Sequence, residues 1–565
     1  MNTSNLFQDP DRIELIRRLI DAEQHDSQVI PSISLTKPQL RSREMPLSIA
    51  QHHLWELEQT APGNPLLNTT FLARVEGDLD IIALERGLKD VVGQHEILRT
   101  RFIEREGRPW QVVECHMNVS PILVDLSYFS LADQEMELQR LQHEQKRLPF
   151  DLISGPLLRV RVVQLRRQEF VVLFAAHAIV CDASSADILL RELANSYESC
   201  GRNREQDPNR LRIQYGDFAA WQRKSLGDTE VDRQLCAWRG ELRDGHLFEL
   251  PKDDAMPKAS HCDADTVSAE LSPEGDIALR RLAQRENVTL FMVLLAGFLV
   301  FVHRTTKQDD IILTSPAANR IHAATEVLIG PFANKLVLRT DCSGNPTFRE
   351  LLGRVREAHL AAHAHCDVPF EMLVADAESR GYEPHSPLFQ VLFSLRNSPK
   401  GTLKLGASHI REVEFVRALT EFGLECHVVD GGTQLMVQMV FNTELYRKGS
   451  VDRFLHHYVS VLKATIANPE QRISLTLAQA EVSQIWGDLL HVKCVGIDED
   501  FFQLGGHSLL VTQMLSRVRD RIGVDVPVWK VLESPTISAV AENIELAQRS
   551  VQLRSRPGIT RRSKL

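Results

Sequence analysis

From Met45 onward, short apolar runs alternate with longer stretches of helical period. Phe71–Val75 reads as a strand, Ile81–Val92 as a helix, and Ile97–Phe102 and Trp110–Glu114 as strands. Asp133–Arg147 has a helical pattern. Leu157–Gln164 and Phe170–Ala176 follow as strands, the second so uniformly apolar that it predicts a central strand. Ser184–Tyr197 is a helix. After a linker near 250–265 the alternation restarts. Thr266–Leu271 is extended, and Pro273–Glu286 and Leu290–His303 are helical. Ile311–Thr314 and Leu336–Arg339 are strands, Thr347–Ala362 is a helix, Leu388–Leu395 and Gln434–Phe441 are strands, and Val451–Ile466 closes the series as a helix. Two successive mixed halves predict two α/β lobes with a cleft between them, a favoured place for ligands.

The pattern changes near 475. Leu477–Leu490, Ser508–Ile522, Val528–Leu532 and Ile537–Leu546 are helices with no strand between them. They predict a small bundle of roughly 70–80 residues, near the lower limit for independent folding. Residues 1–44 are polar, with one amphipathic helix at Arg12–Ala22 and a proline-punctuated linker after it. That leader is expected either to pack on the main domain or to dock an upstream protein. Residues 549–565 carry six basic residues and no acid, the signature of a disordered tail.

Composition narrows the class. The 565 residues are 43% hydrophobic and 25% charged, as in globular proteins, which excludes a collagen, a coiled coil or a disordered chain. A net charge of −10 argues against a nucleic-acid binder. The most apolar run, Leu290–Val302, has 13 residues, too few to span a bilayer, so no membrane partner is expected. The N-terminus lacks the charge and apolar core of a secretory signal. Nine isolated cysteines, with no C-x-x-C pair, fit a reducing cytoplasm without disulfides. The terminal Ser563-Lys564-Leu565 matches a peroxisomal address, but three residues match easily by chance.

Two stretches carry candidate chemistry. In the bundle, Asp500-Phe-Phe-Gln-Leu-Gly-Gly-His-Ser508-Leu places a serine at the start of a helix, after two glycines that allow a tight loop. Helix N-termini favour phosphate groups; the plainer role for Ser508 is an N-cap. With its flanks, and with Leu532-Glu-Ser-Pro-Thr536, the stretch resembles the attachment motif of peptidyl carrier proteins over about 475–545. The resemblance implies that Ser508 carries 4′-phosphopantetheine, whose thiol holds an aminoacyl or peptidyl thioester.

In the two-lobed part, a buried strand leads into His177-Ala178-Ile-Val-Cys-Asp182-Ala183. Alone, a histidine at a strand end is usually structural. Its context, however, resembles nonribosomal peptide synthetase condensation domains. The first-lobe segments are Pro46-Leu-Ser-Ile-Ala-Gln51-His-His-Leu-Trp55, His95-Glu-Ile-Leu-Arg-Thr-Arg-Phe102, Pro149-Phe-Asp151 with Gly155-Pro-Leu-Leu-Arg159, and Tyr215-Gly-Asp-Phe-Ala-Ala-Trp-Gln-Arg223. Those of the second lobe are Asn319-Arg320, Ile329-Gly-Pro-Phe-Ala-Asn334, Asp367-Val-Pro-Phe-Glu371 and Pro387-Leu-Phe-Gln-Val391. They cover about 45–468 in the family's order, in wording similar to domains that join L-configured donors and acceptors. The implied fold is a V-shaped pair of chloramphenicol-acetyltransferase-like lobes, about 45–250 and 265–468, followed by a four-helix carrier domain over 469–548.

The family motif is HHxxxDG, and this chain departs from it. The second His, which contacts the reacting amine, is replaced by Ala178, and the Gly by Ala183. His177 and Asp182 align with the remaining positions; both are expected to be structural, Asp182 facing Arg320 across the lobes. On a strand, neighbours point to opposite faces, so His177 should face the core rather than stand in for residue 178. Alanine supplies no general base, a function worth about 10²–10⁴-fold, so this form is expected to be strongly impaired. Either a working His was substituted deliberately or the natural domain lost it; the otherwise intact motifs favour substitution.

The implied reaction is acyl transfer from an upstream donor carrier protein to the amine of the aminoacyl group on Ser508. Nothing in the chain resembles an adenylation domain, so a separate adenylation enzyme is implied, as is a phosphopantetheinyl transferase. A monomer is expected. The alternatives are release of the chain onto a soluble amine or alcohol, and a catalytically silent platform that recruits tailoring enzymes. His363-Ala-His365-Cys366 has metal-ligand residue types but no second ligand cluster, so no metal is expected. His52-His53 falls within the opening motif and reads as structural.

Overall fold

The computed structural model describes residues 43–200, 211, 213–225, 228–242, 250–253, 263–320, 323–366, 368–379, 390–397, 403–416, 419–432, 434–474, 477–492 and 495–554. The leader helix expected at Arg12–Ala22, Asp367, Pro387-Leu-Phe389 and the last eleven residues lie outside them. The first part of the chain runs β1 (Glu44–Pro46), α1 (Ile49–Thr60), β2 (Asn68–Glu76), α2 (Ile81–Gln94), β3 (Thr100–Arg105), β4 (Arg108–Val113), β5 (Ile122–Asp125), α3 (Leu131–Arg147), β6 (Leu158–Arg166), β7 (Glu169–His177), α4 (Ala183–Cys200), α5 (Tyr215–Ser225) and α6 (Asp228–Glu241). The second comprises β8 (Ala264–Glu270), α7 (Pro273–Glu286), α8 (Leu290–Thr306), β9 (Asp310–Ala317), β10 (Asn334–Asp341), α9 (Phe348–His363), α10 (Phe370–Ser379), β11 (Val391–Asn397), β12 (Leu403–Leu405), β13 (Ser408–Phe415), β14 (Leu424–Asp430), β15 (Leu435–Asn442) and α11 (Lys448–Ala467). Helices α12 (Leu477–Leu490), α13 (Ser508–Ile522), α14 (Val528–Glu533) and α15 (Ile537–Arg554) form the C-terminal bundle.

Each lobe is built on a six-stranded sheet, of order β12-β13-β2-β7-β6-β5 in the first and β10-β9-β11-β14-β15-β8 in the second. The nearly continuous apolar β7 lies inside the first sheet and is buried from Phe170 to His177. Among the described residues no single helix is long and apolar enough to cross a membrane. The apolar run of α8 instead lies in the second core, where the Phe298 ring packs tilted against Phe393 and edge-to-face against Tyr458. Strands β12 and β13 lie within the segment that sequence assigns to the second lobe, yet they extend the first lobe's sheet, with Phe415 opposite Phe71 and Ile410 opposite Val75. The second-lobe segment thus donates two strands to the first lobe's sheet, a one-way tie between the lobes.

Several boundaries differ from the sequence expectation. Ile97–Phe102 begins as a 3-10 turn, Glu96–Arg99, because Gln214 accepts from Glu96 N (3.0 Å) and Thr100 Oγ1 donates back to Glu96 O (2.7 Å). Residues 468–474 pack on the second lobe, where Ile473 joins its core and its carbonyl accepts from Arg304 Nε (2.8 Å). The helical unit starts only at Leu477, and α15 extends to Arg554, into the stretch expected to be a tail. The bundle's core gathers Trp486, Phe501, Met514 and Ile537, all fully buried.

Candidate functional site

Strand β7 delivers His177 at its end, and the chain then turns through residues 178–182 into α4. Hydrogen bonds from neighbouring segments hold this turn. Ala178 N donates to Leu67 O (2.7 Å), and Gln51 Nε2 donates to Ile179 O (3.3 Å). Gln51 is placed by the start of α1, where Ser48 Oγ accepts from Gln51 N and Gln51 Oε1 accepts from Ser48 N, a reciprocal cap. Ser48 Oγ also meets the Tyr215 hydroxyl (2.8 Å), which donates to Pro331 O in the second lobe (3.0 Å). The opening motif, which holds the turn through Gln51, is thus itself tied to the Tyr215 motif, distant in sequence.

Asp182 and Arg320 come together across the lobes. Arg320 Nη1 donates to Asp182 Oδ2 (2.9 Å) and Nη2 to Oδ1 (3.1 Å), with both side chains under 10% exposed. Asp182 also accepts from Ser185 N and Oγ (2.7 Å each) and from the amides of Phe332 and Ala333 (3.0 Å each). The guanidinium lies over the Phe332 ring, 4.5 Å from its centroid. A buried carboxylate needs such a donor set to remain charged. Ser185 and the Phe332 and Ala333 amides are not legible as partners from sequence. Gly330 belongs here too, because a Cβ at that position would lie 2.0 Å from the Tyr215 ring.

His177 is 1% exposed, and its Nδ1 accepts from Ile179 N (3.1 Å), so the ring proton resides on Nε2. Among the described residues Nε2 is buried without a hydrogen-bond partner, with Glu58 Oε2 3.6 Å away. Ala178 is partly exposed. Cys181 is buried and its thiol is pushed far up by desolvation, so it is not a nucleophile.

In the bundle, the loop before α13 is shaped by its glycines. Gly505 has φ +95°, and a Cβ on Gly506 would meet the Phe501 ring at 2.3 Å and its carbonyl oxygen at 2.5 Å. Phe501 is fixed against Trp486, at 4.7 Å between centroids. Ser508 is the first helical residue, exposed; the N-cap position is held by His507, so capping is not the role of Ser508. An exposed hydroxyl beside the unpaired amides of a first helical turn suits a phosphodiester-linked group. Large apolar side chains stand exposed on the same bundle at Leu509, Val528, Trp529 and Leu532.

Elsewhere, His363 packs on His359 (4.5 Å between centroids), while the carbonyls of His365 and Cys366 accept from Trp238 and Asn334. No cluster of metal-ligand type occurs among the described residues. Pro149-Phe150 and Arg159 form one unit, with the guanidinium 3.6 Å from the Phe150 ring centroid and donating to Pro149 O (2.8 Å). Asn334 bridges Cys366 O, Val368 O and Phe370 N.

The family model for the condensation domain matches residues 41–485. The chain belongs to the condensation-domain family. A second model, for the phosphopantetheine attachment site, matches 480–544, so a carrier domain follows the condensation domain. The chain is similar to a linear gramicidin synthase of Brevibacillus parabrevis, 37% identical over 450 residues, which is 79% of this chain and 9% of the relative. It spans only 6–12% of the length of such curated relatives. Among solved structures it is similar to the complex of the X-domain and OxyB from teicoplanin biosynthesis (TM-score 0.65, 25% identity, 79% of this chain and 98% of that one). It also shares its fold with the first condensation domain of the calcium-dependent antibiotic synthetase (TM-score 0.67, 22% identity, 76% and 98%). The chloramphenicol-acetyltransferase-like pair of lobes and the four-helix carrier domain agree with these comparisons.

Proposed function

We propose that this chain is a condensation–carrier didomain of a nonribosomal peptide or hybrid polyketide–peptide assembly line, with the condensation domain running from about 45 to 474 and the carrier's helices from 477 to 554. An acyl group arriving on an upstream carrier protein passes to the amine of the aminoacyl group held at Ser508, forming an amide. One observation carries this reading: a turn clasped between two lobes, at residues 177–182, precedes in the same chain a carrier domain whose Ser508 is exposed at a helix start. Phosphopantetheine, once attached to the Ser508 hydroxyl by a transferase, supplies a thiol that holds the aminoacyl group delivered by a separate adenylation enzyme.

The protein's own residues orient the reaction. Asp182 and Arg320 fix the turn between the lobes. His177 spends Nδ1 on Ile179 N and sits in the core, so it cannot replace a base at position 178. With Ala178 there, both arms can still be brought together, and the remaining rate comes from proximity. This form is therefore an impaired variant of an enzyme that works with a histidine at position 178.

The test is intact-protein mass of the loaded carrier. The chain and its Ala178→His variant are pantetheinylated, charged with an amino acid and offered a panel of acyl-carrier donors. Acyl mass gained on Ser508 by Ala178→His alone supports the reading. A silent recruitment platform is the second reading, favoured by Ala178 itself and by the similarity to an X-domain solved in complex with OxyB. It predicts no gain in either version.

A further inference from the structure

The second lobe contains a group of side chains that the condensation motifs do not involve. Ser394 on β11 and His427 on β14 are directly paired in parallel register. Ser394 Oγ lies 2.5 Å from His427 Nδ1, and His427 Nε2 lies 2.7 Å from Glu425 Oε2. An ionised carboxylate only accepts, so Nε2 carries the ring proton and Nδ1 accepts from the Ser394 hydroxyl. The second Glu425 oxygen accepts from Thr420 Oγ1, which orients the carboxylate. A hydroxyl, a base and an oriented carboxylate in hydrogen-bonding sequence are the arrangement that activates a serine nucleophile.

Its position in the sheet matters. Val391, Phe393, Cys426 and Val428 point into the helix-covered core of the second lobe. Side chains alternate along strands, so Ser394, Glu425 and His427 lie on the opposite face. Two residues further along that face, Arg396 stacks on Phe415 of the first lobe's sheet, 3.9 Å from its centroid. The charge of Arg396 also acts on Asp187 of α4, opposing the rise that burial causes in its carboxyl. Strands β9 and β11 pair only at Leu392 with Thr314, so Ser394 lies past the point where the two are joined, and both Ser394 and His427 are buried there.

We propose that Ser394, His427 and Glu425 form a second acyl-handling site on the inter-lobe face, whose substrates are acyl thioesters; the substrate class rests on the condensation reading. In the step, Ser394 Oγ attacks the thioester carbonyl, the C–S bond breaks and a C–O ester forms. The hydroxyl proton passes to His427 Nδ1 and then to the departing thiolate, which leaves as a thiol. Attack by an amine or water on the ester returns the proton to Ser394 through His427. None of these steps uses residue 178.

The experiment uses the full, unloaded chain with an alkyl fluorophosphonate probe and reads intact mass and the modified peptide. The expected result is one adduct, on Ser394, slowed by preincubation with a short-chain acyl N-acetylcysteamine thioester that itself leaves an acyl ester on the same peptide. Ser394→Ala abolishes the adduct, and His427→Gln slows it roughly 100-fold or more. An unmodified Ser394 peptide in the folded wild-type chain overturns the proposal without reference to any variant. So does labelling unchanged in a folded His427→Gln, the behaviour of a histidine that merely ties two strands. Labelling with the probe but no acylation by the thioester removes the substrate class and leaves the activated serine. Because nothing is loaded on Ser508, failure of carrier-bound condensation leaves this readout untouched.

Discussion

Arg320 reaches from the second lobe to hold both oxygens of Asp182 in the first, at 2.9 and 3.1 Å, and both side chains are nearly buried. Breaking such a pair leaves one buried charge without its partner. Asp182→Ala and Arg320→Ala should each cost about 3–5 kcal/mol, and the double variant less than their sum. Denaturant midpoints of the four proteins measure this. Equal midpoints for Asp182→Ala and the parent would remove the clasp from the energetics.

If the proposed condensation reading holds, Ala178→His should raise acyl transfer to the loaded carrier by about 10²–10⁴-fold. The readout is single-turnover mass gain on Ser508. Ala178→Gln, similar in length but without a titratable nitrogen, should recover far less.

The two loop glycines should respond differently to alanine. At Gly505 the space is open and the cost is the φ of +95°, about 1–2 kcal/mol. At Gly506 the new methyl meets the Phe501 ring and its backbone oxygen, so the cost reaches the upper end of about 1–3 kcal/mol or beyond. Hydrogen exchange at Phe501 and the rate of pantetheinylation in the full chain should both report Gly506→Ala as the worse variant.

Acid should weaken the second lobe. Burial holds His359 and His457 down to about 3, from an ordinary value of 6.5. Between those values the unfolded chain binds protons there that the folded chain refuses. Stability therefore falls as pH drops from 6.5 toward 3, by up to about 1.4 kcal/mol per pH unit for each histidine. His457→Leu should flatten the difference between urea midpoints measured at about pH 7.5 and about pH 5, on either side of the ordinary histidine value. An unchanged slope would place the acid sensitivity elsewhere.

Local signals are legible where the elements carry their own punctuation. Helix α7 shows its bounds in sequence because Ser272 caps it, Pro273 opens it and Asn287 closes it in the left-handed conformation. Helix α13 is bounded by the Gly505-Gly506 loop and by Gly523, also left-handed. Strand β14 escapes a reading by pattern because Glu425 and His427 interrupt its apolar run, and those are the residues that meet Ser394 and Thr420.

The two mixed lobes, the helical carrier domain, the serine in its glycine loop and the alanine in the inter-lobe motif are all written in the residue order. Each is a matter of period, punctuation or residue type, and needs only near neighbours to be legible. Folding was required to show that β13 joins the other lobe's sheet, that Asp182 gathers amides from residues 332 and 333, and that Ser394, His427 and Glu425 stand in line. Those relationships join residues from about 30 to more than 300 positions apart, and nothing in the local pattern of either partner specifies which distant group it will meet.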